Sequence, residues 1–243
     1  MSNVLIATPC YGKMVGEGYL HSVMGTIDLL RSKGHKARVH TVGNESLITR
    51  ARNNQVAFFL SKPFDYLMFI DADITWRPLA LLDLLESGHD VCGIPYPTKN
   101  RDWKKALAFA KKKIESGENV SPDELKNSSL RFTVNKTSSS DDTKEGWTEV
   151  DDLGTGFLLI KKNVLEKMRD HYRETLNYKN DVAGYLSMAP EENCVGVFET
   201  MIDPSSRRYL SEDYAFCKRW KDMDGKIYAC TKYKLGHTGT AEF

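Results

Sequence analysis

Along the first hundred residues, short continuous apolar runs alternate with stretches whose apolar positions recur at helical spacing. "NVLIATP" is a run of strand length, "YLHSVMGTIDLLRSKGH" is an amphipathic helix closed by Gly34, and "KARVHTV" is a second strand. "SLITRARNNQVAFFLSK" predicts a second helix, followed by the strand "YLMFID", a helix at "PLALLDLLES" and the strand "DVCGIPY". This β-α-β-α-β-α-β order predicts an α/β fold with a mostly parallel sheet and helices on both faces. In such sheets ligands bind at the carboxyl ends of the strands.

The pattern changes at Lys99. From there to Trp147 charge density rises, a helical piece "WKKALAFAKKKIES" occurs, and "NKTSSSDDTKEG" is polar and turn-rich. The composition predicts an inserted flexible segment or flap. Regular structure resumes with "GTGFLLIKKNVLEKMRD", a strand leading into a helix, then an irregular stretch to Arg208. In "YLSEDYAFCKRWKDMDGKIYACTKYKLGHTG", Ser211 stands at an N-cap position, and Phe216, Trp220 and Met223 fall on one helix face.

Composition narrows the class. The 243 residues are 41% apolar and 10% aromatic, enough to bury a substantial core as one domain. A formal charge of +1 gives no global drive toward nucleic acid or membrane. No apolar stretch approaches the roughly 20 residues of a membrane span, and Met1 to Ile6 lacks the features of a signal peptide. A soluble, cytoplasmic protein is expected. Cys10, Cys92, Cys194, Cys217 and Cys230 are odd in number and lack metal-site spacing, which suits a reducing compartment.

Asp71 and Asp73 close the apolar strand "YLMFID" and its following turn. Carboxylates so close together at the end of a packed strand call for a positive partner. Hard oxygens suit Mg²⁺ or Mn²⁺, ions that hold substrate phosphates. A turn cap before Pro78 is the other explanation of the pair.

"FIDAD", with "ITRARN" one helix upstream, "GTGFLLIKK" in the second half, "YLSEDYAFCKRW" late and a histidine near the C-terminus, resembles the GT-A class of nucleotide-sugar-dependent glycosyltransferases. The chain is most similar to the small enzymes of phages and large viruses, and more loosely to the Anp1-type mannosyltransferases. The resemblance implies a GT-A (Rossmann-like) domain over 1–243, with a nucleotide-binding half at 1–98, an insertion or flap at 99–147, and an acceptor- and metal-completing half at 148–243. It implies transfer of a sugar from a nucleotide-diphosphate donor, a UDP-sugar in preference to a GDP-sugar, with Mn²⁺ or Mg²⁺. A viral source would place it in the host cytoplasm.

By that resemblance Asp73 is the more direct metal ligand, Asp71 lies nearer the ribose or sugar with Ala72 between them, and His237 is a third ligand. Thr8, Pro9 and Tyr11 in "TPCYGK" stand where nucleobase and ribose lie, although a plain turn explains them too. In "ESLITRARNNQ", helical spacing sets Arg50, Asn53 and Asn54 on one face and points Arg52 elsewhere. This makes Arg50 the expected donor contact, with a surface pair to Glu45 as the alternative. Gly154, Thr155 and Gly156 are expected to let backbone approach the sugar or acceptor, with Asp152 bonding a sugar hydroxyl; a β-turn is the other reading. Asp213 matches the catalytic base and Glu212 its companion, while acids in a first helical turn also favour the helix dipole without any function. Related enzymes retain configuration, so the pair leaves the stereochemistry open.

Two other functions fit parts of this pattern. A sugar nucleotidyltransferase is also α/β and metal-dependent, but "TPCYGKMVGEG" lacks its tight glycine-rich phosphate loop. A noncatalytic nucleotide- or carbohydrate-binding module needs no base. The acceptor stays open among glycan, glycoprotein and modified nucleic acid. "KNRDWKKALAFAKKK" is basic enough to track a phosphodiester backbone or to be a solvated helix face.

Overall fold

A computed structural model describes residues 1–137, 145–181 and 190–239. The first part runs β1 (Asn3–Cys10), α1 (Glu17–Ser32), β2 (Lys36–Gly43), α2 (Ile48–Leu60), β3 (Tyr66–Ile70), β4 (Ile74–Thr75), α3 (Pro78–Glu86) and β5 (Val91–Gly93). Gly34 follows α1 with φ of +80°, the left-handed geometry that lets the chain leave a helix. Next come β6 (Pro97–Arg101), α4 (Trp103–Glu115), α5 (Pro122–Ser128), β7 (Leu130–Phe132) and β8 (Val134–Lys136). The second half holds β9 (Trp147–Leu153), β10 (Phe157–Lys161), α6 (Lys162–Leu176), β11 (Met201–Ile202), β12 (Tyr209–Leu210), α7 (Glu212–Lys221), β13 (Ile227–Cys230) and β14 (Gly236–His237).

Eight strands form the main sheet in the order β2-β1-β3-β10-β5-β13-β9-β8. The β1–β2, β1–β3 and β5–β13 pairs are parallel, β10 runs antiparallel between β3 and β5, and β9 runs antiparallel between β13 and β8. Six of the eight strands thus share one direction, the mostly parallel α/β arrangement expected. Side chains alternate across it. Val4, Ile6, Met68 and Ile70 pack with α1 and α3 on one face, while Leu5, Ala7, Leu67 and Phe69 pack with α2, α6 and α7 on the other.

The region expected to be a flap contains regular elements. Between β6 and β7, α4 and α5 form an excursion that closes on itself: Arg101 pairs with Leu130, and the Asp102 N–H donates to the Ser129 carbonyl at 2.8 Å. Asp102 caps α4 through the Lys105 N–H, and Ser121 with Glu124 forms a capping box on α5. β8 then joins the edge of the main sheet. Residues 138–144 of "NKTSSSDDTKEG" and 182–189 of the irregular stretch lie outside the described residues. All five cysteines are buried free thiols. Among the described residues no helix is long and apolar enough to cross a membrane.

Candidate active site

Where β3 runs out of apolar residues, the chain turns tightly through Asp71, Ala72 and Asp73. The Ile74 N–H donates to the Asp71 carbonyl (3.1 Å), and the Gly16 N–H to the Ala72 carbonyl (2.7 Å). β4 then pairs with β14, placing His237 opposite Ile74, and the Thr238 N–H donates to the Asp73 carbonyl at 2.9 Å. Two short strands far apart in sequence thereby bring a histidine to the second aspartate. Between this turn and the loop after β1 lies a cleft of about 700 Å³, bordered by Pro9, Tyr11, Ala72, Asp73, Arg52 and Glu212 among others. It opens at the carboxyl ends of β1 and β3, where a parallel sheet offers ligands a crevice.

The positive partner that the aspartates demand is present twice. Arg52 Nη2 donates to Asp71 Oδ1 at 2.9 Å, and Arg52 Nε to Glu212 Oε1 at 3.3 Å. Burial of the guanidinium favours its neutral form, but Asp71 and Glu212 outweigh this and raise its pKa. Its Nη1, also buried, has no hydrogen-bond partner among the described residues. Asp73 has separate partners: Lys99 Nζ lies 2.5 Å and His237 Nε2 3.5 Å from its Oδ2. Burial opposes ionisation of Asp73, yet hydrogen bonds from His237 and Lys99 prevail and bring its pKa down to about 2. The two acids therefore do not face one another as a repelling pair.

The three expected metal ligands are divided between these partners: Asp71 is engaged by Arg52, and among the described residues no group of three His, Cys, Asp or Glu side chains converges. Asp73 and His237 do converge. The His237 Nδ1–H donates to the Pro97 carbonyl at 2.7 Å, so Nε2 is the ring nitrogen that faces Asp73. Deprotonated, that nitrogen is a ligand beside a carboxylate, an O,N donor set suited to Mn²⁺. Mg²⁺ and Mn²⁺ sites commonly take few protein ligands and complete their shell with phosphate oxygens and water. The Lys99 ammonium marks the same corner as one that accepts positive charge, and it must leave Asp73 for a metal to bind there.

Glu212 and Asp213 open α7 in opposite electrostatic settings. Glu212 is tied to Arg52, whereas Asp213 accepts from the Ser211 hydroxyl and, at 2.9 Å, from the Tyr214 N–H. Burial, with Glu212 as the next cause, raises the Asp213 pKa. The sequence placed this carboxylate beside a helix dipole that favours its charge; desolvation wins instead. Ser211 does occupy the N-cap position, but its hydroxyl serves Asp213 and makes no cap bond.

Several expected contacts are committed elsewhere. Thr8 is fully buried with its hydroxyl 2.6 Å from the Tyr19 hydroxyl, leaving Pro9 and the 67% exposed Tyr11 at the cleft. Arg50 makes a double hydrogen bond to Glu45 (2.7 and 2.9 Å) and lines a different cavity of about 400 Å³ together with Asn53. Asn53 accepts from the Phe198 N–H at 2.9 Å. Asp152 takes the Asn135 amide at 2.9 Å, with Arg208 at 3.7 Å. A Cβ on Gly154 or Gly156 would stand 2.8 or 2.6 Å from Tyr96 atoms, so these glycines make room for that ring. The Tyr96 hydroxyl accepts from the Gly156 N–H at 3.1 Å, while Thr155 is buried with no hydrogen-bond partner for its hydroxyl among the described residues.

Sequence reasoning missed Arg52, Lys99 and Tyr96. Arg52 had a readable signal, a cation among the residues of a helix that is otherwise destined for the core. Nothing local in "PYPTKN" marks Lys99 or Tyr96.

No family model and no curated protein matches the chain. Similar solved structures include A197 from STIV, at 16% identity over 98% of this chain and 86% of that one, with a TM-score of 0.49. GalNAc-T7, solved with UDP, GalNAc and Mn²⁺, is 9% identical over 99% of this chain and 44% of its own, with a TM-score of 0.47. A mannose-1-phosphate geranyltransferase from Thermus thermophilus is 9% identical over 97% of this chain and 76% of that one, with a TM-score of 0.44. Likeness at this level assigns no activity.

Proposed function

We propose that this chain transfers a glycosyl group from a nucleoside-diphosphate sugar to an acceptor hydroxyl, using a divalent cation. The observation that carries the reading is the cleft itself: it is bordered by Asp73, which His237 meets, and by Glu212, which precedes Asp213, with Arg52 bonded to both Asp71 and Glu212. One corner suits a cation with a diphosphate, and the other supplies carboxylates. A noncatalytic module has no need of the second.

In this reading Tyr11 offers its exposed ring to the nucleobase, and Asp73 with His237 Nε2 holds the metal. When bound, the metal neutralises charge that develops on the leaving diphosphate. Lys99, freed from Asp73, keeps a second positive charge at that corner. The buried Arg52 Nη1 is a donor for an oxygen of the donor substrate. Asp213 takes the proton of the attacking hydroxyl. Between the two acids, Asp213 is the better base: its environment raises its proton affinity, while Glu212 is held against a guanidinium.

The test is a panel of UDP- and GDP-sugars incubated with the protein, with and without Mn²⁺, while nucleoside diphosphate release is measured. Metal-dependent release from one donor is expected, a UDP-sugar in preference. Release from no donor overturns the reading. So does synthesis of a nucleotide sugar from nucleoside triphosphate and sugar 1-phosphate, which identifies a nucleotidyltransferase instead.

A further inference from the structure

The surface of α4 carries more apolar side chain than a solvated helix should. Trp103, Leu107 and Ile114 are 60%, 68% and 66% exposed. At 100° per residue they fall within a narrow arc together with Ala110, so they form one stripe along the helix. Only Ala106 of this helix is buried, and its principal neighbour is α5. Lys104 and Lys111, both exposed, follow one border of the stripe, with Lys112 behind them. The helix holds five lysines against one acid in a chain whose net charge is +1. Lys113 is bound to Glu124 and Glu118, Lys105 to the Leu130 carbonyl, and Lys112 lies on the opposite side of the helix, so Lys104 and Lys111, the latter 3.8 Å from Glu115, supply the positive border.

We infer that this face of α4 docks on an anionic lipid surface. A helix with an apolar stripe bordered by lysines lies in the plane of a membrane interface, its apolar side chains among the acyl chains and its ammonium groups at the phosphates. Tryptophan at the edge of such a stripe suits the headgroup level. A nucleic acid would use the lysines but leave three large apolar groups in water. A second copy of the helix would cover the stripe but set lysine against lysine. Anionic lipid satisfies both features at once. The surface is also joined to the cleft, since Lys99 on β6 contacts Asp73 two residues before the strand ends and α4 begins after Asp102.

Trp76 and Trp220 are buried and Trp147 is partly buried, so Trp103 dominates any change in tryptophan emission at the surface. The experiment mixes the 243-residue chain with vesicles of phosphatidylcholine alone, or with about a third phosphatidylglycerol, and follows flotation and emission wavelength. Flotation and a blue shift with the anionic vesicles only are expected. The double substitution Leu107→Gln with Ile114→Gln should lower partitioning about tenfold or more. Replacing Lys104 and Lys111 by Gln should lower it about fivefold per charge. Melting temperature and metal-dependent donor hydrolysis, measured on the same variants, stay at the parent's values, because neither set of residues touches the core or cleft. No flotation, or flotation unchanged by both sets of substitutions, overturns the inference. Binding of duplex DNA without vesicle binding, or a dimer in place of vesicle binding that the Leu107 and Ile114 changes abolish, overturns it as well.

Discussion

Asp213 is held where its charge is disfavoured, and that fixes the sign of what its removal does. Its pKa is raised in the folded state, mainly by burial. The folded protein therefore binds this proton more tightly than the unfolded chain, and stability falls as pH rises from the ordinary carboxylate value through the raised one. Asp213→Asn removes that penalty. At neutral pH its melting temperature should match or exceed the parent's, while transfer falls by about a hundredfold or more, the scale of a lost general base. Below the ordinary carboxylate value the gain in melting temperature should vanish. A lowered melting temperature with near-normal transfer would make Asp213 only a partner of the helix terminus. At the opposite corner, Lys99 competes with a metal for Asp73. Lys99→Met should tighten Mn²⁺ binding without donor by up to about fivefold, the scale of an ion pair of about 1 kcal/mol that is half exposed. Calorimetry reads this directly, and weaker binding in the variant would refute the competition.

Elements differ in how plainly the sequence announces them. β1, β3 and β5 are legible because parallel strands buried on both faces must be continuously apolar. "FLLIK" is legible as a strand for the same reason, but its place between β3 and β5 and its reversed direction are not, since both follow from pairings with distant residues. α2 misled for an instructive reason. Sorting Arg50 and Arg52 onto a site face and an outer face assumes that one face is solvated, yet Thr49, Ala51, Arg52, Asn53, Asn54 and Gln55 are all buried. Every side of that helix meets protein, and the side toward the cleft is that of Arg52. The glycines at 154 and 156 show a related limit. Their need for space was readable; that Tyr96 fills it depends on a segment some 60 residues earlier. The β4–β14 pairing that delivers His237 is two residues long on each side, too short to leave a periodic trace.

For the whole molecule, the sheet order argues against the apparent halves as folding units. Residues 1–98 contain all of the first β-α units, but β3 and β5 are not neighbours; β10, from the second half, fills the space between them. Phe157 and Leu159 pack into the cluster with α1 and α3, and Leu158 and Ile160 into the cluster with α2, α6 and α7, so one strand serves both cores. β13, also from the second half, covers the far side of β5. Removing the second half therefore exposes one edge of β3 and both edges of β5 and depletes both apolar clusters. The fragment 1–98 alone should show no cooperative unfolding transition in denaturant, because the burial that offsets chain entropy is shared across the cut. The α4–α5 excursion is the opposite case. Its ends meet at the Asp102–Ser129 hydrogen bond and the Arg101–Leu130 pair, and it contributes no residue to the cluster on either face of the sheet. Replacing 103–128 by a short turn should leave the remaining chain with one cooperative transition near the parent midpoint. A cooperative transition in the 1–98 fragment, or loss of cooperativity on excising 103–128, would contradict this assignment of what holds the fold together.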